Sequence, residues 1–135
     1  MTTLESNKQV VLKYVEAFNR GDLETLQAVF TPDALIQGVL GWGELDKVMP
    51  IWKELHEAFA IDLTVEEIIA EGDTVAVRYT ERGTFAGSFR GQEPTGKPYE
   101  LVAMEWFTLI EGKIHRRWGA RDAASQARQI GMKLA

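Results

Sequence analysis

Apolar residues recur at helical spacing through the first 60 positions and then switch to alternation. Val11, Tyr14, Val15 and Phe18 share one face of a helix over about Ser6 to Arg20, with Ser6 and Gln9 as its capping box and Gly21 as its stop. A second helix follows with Asp22 as N-cap and Leu23, Leu26, Val29 and Phe30 inward. Thr31-Pro32 ends it, because a residue before proline avoids the helical region. A short strand is predicted over Ala34–Gln37, then a glycine-rich connection at Gly38, Gly41 and Gly43 around Trp42. Val48, Trp52, Leu55 and Phe59 predict a third helix from about Lys47 to Ala58, with Pro50 tolerable only near its first turn.

From Ile61 the period is two. Strands are predicted over Ile61–Glu71, Thr74–Phe85 and Tyr99–Ile110, with turns at Gly72-Asp73 and at Gly112-Lys113 and a loop over Ala86–Lys97. A last strand leads into a helix ending at Gly131. Strict alternation puts Ile114, Arg116, Trp118, Ala120 and Asp122 on one face of that strand, and His115 on the other. Three helices, a four-stranded antiparallel meander and a terminal helix make an α+β pattern in one domain, residues 1–135. The strands are apolar on both faces. One face covers the helices, and the other calls for a partner, read as a second copy of the chain.

Composition narrows the chemistry. Apolar residues are 45% and charged residues 26%, as in ordinary globular proteins, and the net charge is -5. Lys and Arg are scattered, so no nucleic-acid partner is expected. No apolar run reaches the length of a membrane span, and the polar MTTLESNKQ start is unlike a signal peptide. The chain has no cysteine, which removes thiol catalysis and fits a cytoplasmic location. His56 and His115 lie on different elements without metal-ligand spacing, so no metal is expected. His56 can face either cavity or solvent. Arg20-Gly21-Asp22, the glycines at 38, 41 and 43, and Gly87-Ser88 match short motifs without the structural frames those motifs need.

Acid–base chemistry is the remaining easy enzymatic route. Asp122, four residues beyond Trp118, has two readings. In an apolar cavity wall it would serve as general acid/base; as N-cap of the last helix it would bind backbone amides instead. Glu105, mid-strand in AMEWF, either pairs with Arg78 or Arg116 or shares a cavity with Asp122. Trp42, Trp52, Phe59, Tyr79, Trp106, Phe107 and Trp118 serve either as plain core or as an aromatic pocket for a flat apolar ligand.

Three segments carry a family resemblance: KYVEAFNRGDLETLQAVFTPDA, IIAEGDTVAVRYTERGTFAG and PTGKPYELVAMEWFTLIEGKIHRRWGARDAASQARQIG. They resemble the SnoaL-like polyketide cyclase (ester cyclase) group of the nuclear-transport-factor-2-like (NTF2-like) superfamily. The resemblance implies a cone-shaped α+β barrel of cystatin-like type, a curved sheet wrapped around helices over an apolar cavity, and a homodimer through the outer sheet face. It implies a cofactor-independent enzyme closing a ring by intramolecular aldol chemistry on a hydrophobic polyketide-like ligand. Asp122 matches the acid/base aspartate, with Glu105 as a second acid and Tyr14, Gln37, Trp42, Trp52, His56, Phe59, Tyr79, Phe107 and Trp118 lining the site. Many relatives carry His or Asp where this chain has Gln37. Steroid isomerases of the superfamily pair a tyrosine matching Tyr14 with a base matching Gln37, and that base is missing here. A non-catalytic binding dimer, or an isomerase or hydrolase in the same pocket, are the competing readings. The Asp122 reading requires that its carboxylate lie in an apolar hollow.

Overall fold

The computed structural model describes residues 2–38 and 41–133. Helix α1 (Thr3–Arg20) begins one turn earlier than the pattern predicts. Thr2 is its N-cap and Glu5 completes the capping box, which displaces the Ser6/Gln9 assignment. Gly21 closes it in the left-handed conformation, and Asp22 caps α2 (Leu23–Ala28) by accepting from Thr25 N. The chain then becomes extended sooner than expected: β1 spans Phe30–Gly38 and runs through Pro32. Its register against β6 (Lys113–Arg121) shifts between Phe30 and Leu35, so Pro32 falls where the ladder is already broken. The glycine-rich connection forms a strand, β2 (Gly41–Glu44), paired with β1. Helix α3 (Leu45–Phe59) starts two residues before Lys47 and contains Pro50.

The meander is as the alternation predicts: β3 (Asp62–Glu71), β4 (Thr74–Thr84), β5 (Pro98–Ile110) and β6, followed by α4 (Ala123–Ile130). Glu111 and Gly112, both at positive φ, form the β5–β6 turn one residue earlier than placed from sequence. The six strands make one sheet in the order β2-β1-β6-β5-β4-β3, with β1 parallel to β6 and every other pair antiparallel. Buried residues alternate strictly along β5, where Leu101, Ala103, Phe107 and Leu109 face the helices. Their neighbours Val102, Met104 and Trp106 remain 52–54% exposed on the outer face. Among the described residues no helix is long and apolar enough to cross a membrane.

Candidate functional site

The final strand does not alternate as the sequence suggests. Thr108 pairs with Arg116 but Leu109 pairs with Ile114, so His115 is an extra residue in β6, a β-bulge. A one-residue insertion exchanges the two faces beyond it. Ile114 points inward before the bulge; after it the inward residues are Arg117, Gly119 and Arg121. Trp118 and Ala120 pair with Trp106 and Met104 and therefore take the outer face. Thr31 Oγ1 lies 3.1 Å from His115 Nδ1 and occupies the irregularity on the β1 side.

Asp122 consequently is not on the cavity wall. It is exposed, it caps α4, and its Oδ1 accepts from Ser125 N at 2.9 Å. Of its two readings, the cap is the one the geometry displays.

The residues brought inward by the bulge meet Glu105. Its Oε2 accepts from the Tyr14 hydroxyl at 2.8 Å and from the Arg117 guanidinium, and its Oε1 accepts from the Tyr79 hydroxyl at 2.7 Å. The partner is Arg117, where the sequence offered Arg78 or Arg116. Gly119 makes this reach possible. A Cβ there would stand 2.9 Å from Arg117 Cζ, so the bare strand lets the guanidinium lie across it. Arg117 also donates to the Gln37 carbonyl at 2.9 Å and stacks 5.9 Å above the Trp52 ring.

A second network lies two rows further along the inner face. Glu81 on β4 accepts from the Tyr99 hydroxyl at 2.6 Å and from Arg121, which also donates to Gln126 Oε1. Burial pushes the Tyr14, Tyr79 and Tyr99 phenols up from their ordinary value, and the adjacent glutamate charges add to the rise. All three stay neutral donors. Burial works against the Arg117 charge, but the Glu105 carboxylate outweighs it and holds the guanidinium above its usual value.

Glu105 and Glu81 both border a cavity of about 210 Å³ between the sheet and α1 and α3. Tyr14, Trp52, Tyr79 and Trp42 line it, as expected, together with the apolar Phe18, Val48, Ile51, Leu55, Ile61 and Leu63. Five expected residues do not. Gln37 takes the outer row beside Trp118, since Ile36 is the buried neighbour opposite Arg117. Trp118 packs edge-on against Trp42 at 5.7 Å. Phe59 is core, stacked among Phe85, Phe89 and Tyr99, and Phe107 is buried behind the Tyr14 ring. His56 lies beneath the α1–α2 turn, against Gly21 and 3.3 Å from the Asn19 carbonyl. Among the described residues no three His, Asp or Glu side chains converge to hold a metal.

Sequence reasoning missed Glu81, Tyr99, Arg117 and Arg121. Glu81 was findable: it has the same parity on its strand as the apolar Val75, Val77 and Tyr79. The arginines were not, because they depend on the bulge.

An open sheet folded over helices, with a mostly apolar cavity between them, defines the NTF2-like class of α+β proteins. The sequence model of the SnoaL-like polyketide cyclase family matches residues 8–130, and the chain belongs to that family. IdmH from Streptomyces antibioticus, a candidate polyketide cyclase, is 29% identical with a TM-score of 0.82, over 93% of this chain and 99% of its own. AclR from Streptomyces galilaeus, a candidate hydroxylase, is 26% identical with a TM-score of 0.86, over 96% of this chain and 83% of its own. A SnoaL-like protein of Jannaschia sp. CCS1 is 20% identical, with a TM-score of 0.88 over 99% of this chain and 97% of its own, a likeness of fold alone. No curated protein matches the chain in sequence.

Proposed function

We propose that this protein is a cofactor-independent, cyclase-type enzyme acting on a largely apolar, carbonyl-bearing, polyketide-like molecule, and that Glu105 is its acid/base carboxylate. Family membership supports the general class, and the likeness to IdmH points the same way. The observation that carries the assignment is a carboxylate fixed by Tyr14, Tyr79 and Arg117 at one wall of an apolar cavity, with Oε1 holding a single donor. In an intramolecular aldol step Glu105 takes a proton from the carbon beside one carbonyl. The resulting enolate attacks a second carbonyl of the same molecule, and the proton returns to the new alkoxide. Nothing is oxidised or lost. The Tyr14 and Tyr79 hydroxyls each spend their one proton on the carboxylate and hold it in place, which leaves the Arg117 charge to stabilise the enolate oxygen. Asp122 stands outside this scheme.

Glu105→Gln is expected to retain fold and ligand binding and to lower turnover on a model diketone-ester by about 100-fold or more. Asp122→Ala is expected to leave turnover within about twofold while costing about 1 kcal/mol of stability. The opposite pattern, activity lost with Asp122 and kept without the Glu105 charge, would overturn the assignment.

One observation favours a binding role instead. Arg117 already neutralises Glu105, which suits an anchor for a ligand hydroxyl as well as a base. Ligand-induced stabilisation with no product by mass spectrometry identifies that case.

The assembly proposed is a homodimer through the outer sheet face. Trp106, Met104, Val102, Ile110 and Ile69 are 48–59% exposed there and form one contiguous apolar row that a second copy would cover. Trp106→Glu is expected to halve the mass seen by sedimentation, and an unchanged mass excludes this face.

A further inference from the structure

We infer that the ligand carries a single carboxylate, held at the cavity mouth by Lys47. This rests on the reading of the cavity as the ligand site and adds the charge of the molecule it takes. The charged residues lining the cavity are Glu81, Glu105, Arg117, Arg121 and Lys47, three cations against two carboxylates. Arg117 is matched with Glu105 and Arg121 with Glu81, so both pairs are internally neutral. Lys47 is the remainder. Among the described residues no carboxylate lies within 4 Å of its ammonium, although Glu44 and Asp46 are exposed on the same turn.

The backbone keeps Lys47 at the opening. Gly43 is buried, and a Cβ built on it would fall 3.2 Å from Lys47 Cδ and 3.1 Å from Val48 Cγ2. The lysine stem therefore lies along β2 where a side chain would otherwise lift it away. Trp42 stands at the same rim, half-exposed. Deeper in, the lining is apolar between the two glutamate networks. A molecule with an aromatic or aliphatic body and one terminal anion matches this layout: the body is desolvated inside, and the anion meets a cation while still touching water.

The test uses two dyes with nearly the same aromatic frame, anilinonaphthalene sulfonate, which is anionic, and N-phenylnaphthylamine, which is neutral. Fluorescence titration of the intact protein is expected to show the anionic dye binding more tightly. Lys47→Gln, at an exposed position, should weaken the anionic dye about fivefold and leave the neutral dye within about twofold. The advantage of the anionic dye should shrink as salt is raised. Ile51→Trp, which fills the cavity, should weaken both dyes and so exclude binding on the outer sheet face. If Lys47→Gln leaves the anionic dye unchanged, or weakens both dyes equally, the carboxylate inference falls while the cavity reading stands. If neither dye responds to Ile51→Trp, the cavity does not take such molecules, and the functional reading falls with it.

Discussion

Raising the pH tests the two glutamate networks without any mutation. The chain has three tyrosines, and all three are buried and donate to Glu105 or Glu81. Their phenols are held above the ordinary value in the folded state, by burial first and glutamate charge second. In the unfolded chain they ionise near about pH 10. A group whose folded value is raised contributes its full stability below the unfolded value and loses it as pH climbs above. At about pH 11 each unfolded tyrosine gains about 1.4 kcal/mol from ionisation that its folded counterpart cannot gain. Three together remove about 4 kcal/mol at about pH 11 and about 8 kcal/mol at about pH 12. Against a typical total of about 5–15 kcal/mol, the protein should unfold within one to three pH units above about 10. Ultraviolet difference absorbance of tyrosinate and far-ultraviolet circular dichroism should therefore change together, in a single transition. Tyrosinate appearing with a midpoint near about pH 10 while the dichroism stays native would refute the networks as described.

Two further substitutions probe the packing. Arg117→Met leaves the Glu105 carboxylate buried without its cation and is expected to cost about 3–5 kcal/mol, a melting temperature lower by about 10–18 °C. Adding Glu105→Gln should restore about half of that, and a single variant that melts within about 3 °C of the parent would show that the pair is not buried as described. Gly83→Ala places a Cβ against the Phe59 carbonyl oxygen and 2.6 Å from Tyr99 Cε1, where the end of α3 docks on β4. The backbone oxygen cannot step aside, so a cost of about 3 kcal/mol or more is expected by chemical denaturation; a loss under about 1 kcal/mol would mean the helix end does not approach so closely.

Most of the architecture is legible in the chain because local rules act there without competition. Gly21, Asp22 and Gly131 mark helix ends through backbone conformation and capping, which involve only neighbouring residues. Alternation of apolar residues over β4 and β5 marks strands with one face toward the helices and one toward water, and it also places Glu105 inward. The α1 start is a small failure of the same kind, since two caps four residues apart compete and Thr2 with Glu5 prevails.

The site is different. Glu105 and Tyr14 are 91 positions apart, and nothing local says that they touch. Which face of β6 looks inward depends on one unpaired residue, His115, and on the irregular stretch of β1 beside it. Pairing between distant strands sets that register, and shifting it by one residue turns Arg117, Gly119 and Arg121 toward the helices while sending Trp118 and Asp122 outward. Sequence alone therefore determined an α+β chain with a buried glutamate and a capped last helix. Only the packed sheet decided that the carboxylate at the cavity is Glu105 and that Asp122 holds the end of α4, because a strand's face is a property of its neighbours and not of its own residues.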